Sequence, residues 1–282
     1  MHPVGYKYGW RYTHVLAGRT GGMDEFDNVR VERTDRIATV TVDRPAVRNA
    51  MDVPTRRELR AVFDALEERD EARVVVLRGA GENSFVSGAD IETLNEMTLM
   101  DGMEYAEKHA QGLYNRIASF PRPTIAAIDG YALGGGLELA LACDLRVSTP
   151  DAKLGLPEVT LGVIPGGGGT QRLQAVVGAG VARELVLTGK VIDAETAADV
   201  GLLNHVFDPE SFDDEVRALA EEIASNAPVA VKLAKAGMNR GLDHEAGLDF
   251  ERLAFAATVA TDDKDEGTAA FLENREPSFG GH

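Results

Sequence analysis

An α/β core followed by an all-helical C-terminal region is the fold class this sequence predicts, and three observations predict it. Strand-like and helix-like hydrophobic periods alternate from Val29 to about Phe207. Beyond that point only helical periods occur, with no strand pattern between them. The chain's 282 residues, 44% of them hydrophobic, can bury one sizeable core, which suggests one large domain or one domain with an appendage.

The elements follow in order. In "VRVERTDRIATVTVD" β-branched residues alternate with polar ones, so the stretch reads as two strands around a turn at Thr34 to Arg36. Pro54 opens an amphipathic helix, "PTRRELRAVFDALEERD", with Leu59, Val62, Phe63 and Leu66 on one face. "RVVVLRG" follows as a buried strand, a second helix covers roughly Met103 to Ser119, and "TIAAIDG" supplies the next strand. A glycine-rich turn then leads into the helix containing Glu138, and "DLRVST" returns as another strand. Strand, helix and strand in succession imply parallel pairing with right-handed crossovers. After Phe207, "SFDDEVRALAEEIAS", "PVAVKLAKAGMNRG", the segment from His244 to Thr261 and "DEGTAAFLEN" are all helical by period. Such a region packs either on its own core or on neighbouring subunits, and the pattern leaves both open.

Charge and composition exclude several classes. A net charge of −17 argues against nucleic-acid binding, which depends on Lys and Arg neutralising phosphates. No stretch approaches the roughly 20 apolar residues of a membrane span. The single cysteine, Cys143, rules out an internal disulfide framework and fits a reducing, cytoplasmic compartment; its apolar surroundings predict a packed thiol rather than a nucleophile. Residues 1–22 carry Lys7, Arg11 and Arg19 and no acid, leaving 26 basic against 46 acidic groups in the rest. With no apolar h-region, that segment reads as a flexible arm or as sequence ahead of a true start at Met23. Only seven of the 29 basic residues are lysines, and acids cluster as in "TDDKDEG", which points to a protein kept soluble in high salt.

Among candidate chemistries, "VIPGGGGTQ" lacks the Gly-Lys-Ser/Thr ending of a phosphate loop, so its glycines read as a tight turn beside something bulky. The six histidines show no His-Glu-x-x-His spacing and no cysteine partnership, so no metal site is expected. Ser87 lacks the Gly-x-Ser-x-Gly elbow of a hydrolase. Two glutamates remain. Glu138 interrupts the apolar run "GYALGGGLELALACD" about one turn into its helix, and Glu158 lies in "GLPEVTLGV" after a strand. The intervening length lets both carboxylates face one cavity, where each raises the other's proton affinity and the pair can divide acid and base roles. A surface acid at 158 and a buried salt-bridge partner at 138 are the alternatives.

"SFVSGADI", "AIDGYALGGGLELALACDLRVST", "LPEVTLGVIPGGGGTQRL", "LTGKVIDAETAADVGLLNHVF" and "AFLENREPSF" together resemble the crotonase superfamily, specifically its enoyl-CoA hydratases, from about Val29 to Phe279. The resemblance implies a crotonase-like spiral of ββα repeats over residues 23–207 and a helical trimerisation region over 208–282, in a trimer or a dimer of trimers. It implies catalytic roles for Glu138 and Glu158, with Glu138 deprotonating the water and Glu158 protonating Cα. The backbone N–H groups of Ala89 and Gly135 correspond to the oxyanion hole, and Ala46, Val47 and Arg48 to the coenzyme A loop. Ser87, Asp90, Ile91, Gly134 and Pro157 complete the expected substrate contacts, and acyl length is expected to depend on the loop from Leu94 to Met100 and on residues near Pro165. Coenzyme A enters as the acyl carrier, and no separate cofactor is implied. The implied reaction is syn addition of water to a trans-2-enoyl-CoA, in fatty-acid β-oxidation or related acyl-CoA metabolism. An enoyl-CoA isomerase or a CoA-thioester hydrolase on the same scaffold is the nearest alternative, and a non-catalytic or RNA-binding relative is the alternative of another class.

Overall fold

The computed structural model describes residues 26–69, 72–81, 83–90, 97–240 and 244–282. The expectations for residues 1–22 and for Ile91 lie outside the described residues, as do residues 94–96 of the loop from Leu94 to Met100.

Among the described residues ten strands form two sheets. The larger has the order β1 (Val29–Thr34), β2 (Ile37–Val42), β3 (Val74–Gly79), β5 (Thr124–Ile128), β7 (Leu145–Ser148) and β10 (His205–Val206). The smaller has the order β4 (Ser84–Val86), β6 (Tyr131–Leu133), β8 (Lys153–Gly155) and β9 (Val191–Asp193). The hairpin β1–β2 is antiparallel, with Thr34 opposite Ile37 and Asp35 in the left-handed region at φ 53°. From β2 to β10 every neighbour in the large sheet is parallel, as the strand–helix–strand succession predicts.

Helix α1 (Val53–Arg69) follows the hairpin. After β4 the chain forms α2 (Leu99–Glu104), a π-helical segment (Tyr105–Gln111) and α3 (Gly112–Ala118). Thus the second predicted helix begins four residues earlier than its periodicity indicates, because Thr98 and Asp101 form a reciprocal capping box there. Next come α4 (Gly135–Ala142) after β6, and α5 (Gly169–Thr188) after β8. Each of the first four units is therefore strand, strand, helix, the ββα spiral implied by the resemblance.

Alternate residues of the central strands face opposite sides of the large sheet. Val75 and Leu77 join the main core with α1, α3 and α4, while Val74, Val76, Ile125, Ala127 and Val147 pack on α7 (Phe212–Ser225) through Phe212, Val216, Ala220 and Ala224. A short helix, α6 (Ala194–Asp199), precedes β10, and α8 (Pro228–Met238), α9 (His244–Val259) and α10 (Asp262–Glu273) complete the chain. Cys143 is buried, and burial pushes its thiol up to about 12, as expected for a packed residue. No helix of the described residues is long and apolar enough to cross a membrane.

The small sheet is what positions the site. Strands β4, β6 and β8 are parallel neighbours, so the segments leaving them emerge side by side. Those segments are Ser87–Asp90, Gly134–Gly135 and Leu156–Glu158.

Candidate active site

Ser87 and Gly88 are laced to the preceding loop, since Ser87 N–H donates to Arg48 O at 3.1 Å and Met51 N–H donates to Gly88 O at 2.9 Å. This fixes Ala46, Val47 and Arg48, exposed on a 3₁₀ turn at Pro45–Val47, beside Ala89 and Asp90. Within that loop Arg44 is engaged by Asp52 at 2.9 Å, whereas Arg48 lies over the Tyr131 ring at 5.9 Å and points no salt bridge at a described carboxylate.

Gly134 adopts φ 52° and ψ −123°, a conformation that only glycine tolerates well, and its N–H donates to Gly155 O at 2.9 Å. That bond brings Pro157 and Glu158, on the 3₁₀ turn Pro157–Leu161, over the start of α4. A Cβ placed on Gly134 would lie 3.2 Å from Glu158 Oε1. One placed on Gly135 would lie 3.6 Å from Ala89 N, so these two backbone donors converge. Neither N–H donates to an acceptor among the described residues. Gly135 is also the first residue of α4, where the helix dipole favours negative charge.

Glu138, one turn further, is only 3% exposed. Its Oε1 accepts N–H bonds from Gly167 at 2.7 Å and Gly169 at 2.8 Å, which gives the four-glycine run its function. The bulky neighbour expected beside that run is Tyr114, since a Cβ on Gly167 would lie 2.2 Å from the Tyr114 ring. Arg172 Nη1 donates to Gly167 O at 2.7 Å and Gln111 Nε2 to Gly166 O at 3.0 Å, clamping the loop from outside. Glu138 Oε2 has no hydrogen-bond partner among the described residues.

The two carboxyls are both raised above the ordinary carboxylate range, but by different surroundings. Burial raises Glu138, opposed in part by the Gly169 and Gly167 N–H groups and the charges of Arg56 and Arg172. Glu158 has no cation among its influences. Burial, together with the charge of Glu138, holds it near 7, opposed only by a local backbone N–H. Its Oε2 is buried without a partner. Two buried carboxyls, one bound by N–H groups with cations nearby and one without cations, therefore stand beside the glycine triplet, an arrangement suited to paired acid–base chemistry.

The structure thus brings together Glu138, Glu158, Ala89, Gly135, Gly134, Ser87, Asp90, Pro157 and the loop of Ala46, Val47 and Arg48. Sequence reasoning missed Arg56, Tyr105, Tyr114 and Arg172. Arg56 carried a readable signal, for it lies three residues before Leu59 and seven before Phe63, on the apolar stripe of α1.

A family model described as enoyl-CoA hydratase/isomerase matches residues 32–282. The chain belongs to the enoyl-CoA hydratase/isomerase family. Within that family, a short-chain-enoyl-CoA hydratase of Clostridium acetobutylicum is 41% identical over 253 residues, 89% of this chain and 97% of the relative. A crotonyl-CoA hydratase of Syntrophomonas wolfei is 38% identical over 256 residues, 90% of this chain and 98% of the relative. The crystal structure of an enoyl-CoA hydratase from Bacillus anthracis superposes with a TM-score of 0.87 at 38% identity, covering 90% of this chain and all of that one. The Bacillus anthracis structure shares the fold described above.

Proposed function

We propose that this chain is an enoyl-CoA hydratase that adds water syn across a trans-2-enoyl-CoA to give a 3-hydroxyacyl-CoA, with Glu138 and Glu158 as its acid–base pair. The observation that carries this reading is the pairing of a buried carboxyl bound by two N–H groups, with cations nearby, with a second, proton-retaining carboxyl beside convergent backbone donors. The thioester oxygen accepts from Ala89 and Gly135 N–H. Glu138 Oε2 holds the water and takes its proton as the oxygen attacks Cβ, and electrons move through Cα to the thioester oxygen. Glu158 then protonates Cα, and proton exchange restores both acids. Fixed donors aimed at the developing enolate are worth about 3 kcal/mol each by analogy with other oxyanion holes.

On this reading coenzyme A is the acyl carrier and no separate cofactor takes part. Arg48, with Ala46 and Val47, meets its nucleotide or pantetheine arm, supplying local positive charge on a protein of net charge −17. The core of residues 23–207 holds the chemistry, and residues 208–282 mediate assembly. Support for assembly comes from a groove of about 520 Å³ between α8 and α9, lined by Leu233, Met238, Leu248 and Phe255, which is apolar enough to seat another copy of the chain. A cytoplasmic setting is consistent with the single buried cysteine.

The test is product identity. Incubated with trans-crotonyl-CoA, the protein is expected to yield a thioester heavier by one water. A product of unchanged mass would support an isomerase, and release of free coenzyme A thiol would support a thioester hydrolase.

A further inference from the structure

Arg56 breaks two local rules of helix design. It stands in the first turn of α1, where a cation opposes the helix dipole, and it is 2% exposed on that helix's apolar face. Among the described residues no carboxylate lies within salt-bridge distance of it. Its guanidinium lies between two rings, 5.2 Å from the Tyr105 centroid and 5.4 Å from that of Tyr114. Nη1 donates to Tyr114 Oη at 2.7 Å, while Nε is buried with no hydrogen-bond partner among the described residues. A buried, incompletely bonded cation is costly, so apolar packing does not explain its presence.

Its position relative to the site does. Tyr114 Oη relays the contact by donating to Gly135 O at 2.7 Å. A Cβ on Gly135 would meet Arg56 Nη2 at 3.1 Å on one side and Ala89 N at 3.6 Å on the other, so the cation borders the pair of backbone donors. Burial works against the Arg56 charge, but Tyr114, Tyr105 and Glu138 outweigh it and raise its pKa. Around Glu138 the facing groups are Arg56 from α1, Tyr105 from the π-helical segment, Tyr114 from α3, Arg172 from α5 and Glu158 from its 3₁₀ turn. Arg172 reaches the surface and its guanidinium is engaged by Gly167 O and Asn115. Arg56 is sealed from solvent, where ions do not screen it.

Building on the hydratase reading, we infer that Arg56 is a positioning residue: a fixed cation that favours the ionised form of Glu138 and, through Tyr114, holds the first turn of α4 so that Gly135 N–H stays aimed at the thioester oxygen. Glu138 must be ionised to take a proton from water, so activity falls as pH drops through its pKa. Removing a neighbouring cation raises that pKa and moves the acid limb to higher pH.

The experiment compares the pH dependence of kcat/KM for crotonyl-CoA hydration in wild type, Arg56→Met and Arg56→Lys, with far-UV circular dichroism to verify folding. For Arg56→Met the acid limb is expected to move up by about one pH unit, with kcat at the wild-type optimum down about tenfold and KM within about twofold. Arg56→Lys keeps the charge and loses the fork, so its limb stays in place while kcat falls. An active, folded Arg56→Met with an unmoved limb overturns the inference and leaves the hydratase reading standing. If Arg56→Met does not fold, Arg56→Lys decides: an upward shift despite the retained charge overturns the inference, and an unmoved limb with reduced kcat supports it. A wild type that hydrates nothing sinks both.

Discussion

Glu158 has its titration set by a small number of identifiable contacts. Burial and the neighbouring Glu138 hold it near 7, and its Oε2 lacks a partner. On the proposed mechanism Glu158 protonates Cα and must enter the reaction neutral, so kcat/KM for hydration is expected to fall as pH rises through about 7. Glu158→Gln removes that dependence along with most of the rate; a full-length alkaline limb in a residually active variant would assign the limb to another group. The linkage has the corresponding sign. A carboxyl with a raised folded pKa contributes stability in full below its unfolded value, so the contribution of Glu158 is lost as pH rises from the ordinary carboxylate range through about 7 and is constant above that. Both glutamates were legible as candidates because a carboxylate in an apolar or glycine-rich setting needs a reason. Their different environments were not, since the Gly167 and Gly169 N–H groups reach Glu138 across 29 and 31 residues of chain. Arg56 was hidden differently: its place on the α1 stripe could be counted, but its tyrosine partners lie on another element.

Helix α4 explains why a run of three glycines precedes the buried acid. At Gly136 the constraint is contact with β4, because a Cβ there would come 1.9 Å from Val86 O, a backbone atom that cannot swing aside. Gly136→Ala is therefore expected to destabilise the protein by about 3 kcal/mol, read from the denaturation midpoint at unchanged slope. A variant as stable as wild type would mean that α4 does not press on β4 as described. Among elements, the hairpin and α1 were readable from period, and the central strands from short apolar runs buried on both faces. The strands of the small sheet were not. Three residues of β4, β6 or β8 are too few to show a period. Yet their parallel adjacency assembles the site. The start of α2 escaped for a related reason, since Leu99, Met100 and Met103 are exposed and show no buried stripe.

At the scale of the molecule, acidity and exposed apolar surface pull in different directions. Helix α7 buries Phe212, Val216 and Ala220 on the sheet while Asp213, Asp214, Glu215, Glu221 and Glu222 face solvent. Such a surface repels itself, and salt screens the repulsion. The proposal of a salt-adapted protein accordingly predicts a melting temperature that climbs from low to molar KCl; a flat response would count against it. The C-terminal helices carry Met238, Leu253, Phe255, Phe271 and Leu272 at 70% exposure or more, which fits the proposed packing against further copies of the chain. Helical periodicity located these helices but could not say what covers them, because an apolar face looks the same whether a core or another subunit receives it.

The central claim is that two glutamates on either side of a glycine triplet share the work of adding water. Its most direct test is the turnover of crotonyl-CoA by folded Glu138→Gln and Glu158→Gln variants beside the wild type. Each substitution keeps the side chain's shape and removes its proton chemistry, so each is expected to lower kcat by roughly 10²-fold or more while KM changes little. Full activity in either variant would contradict the account.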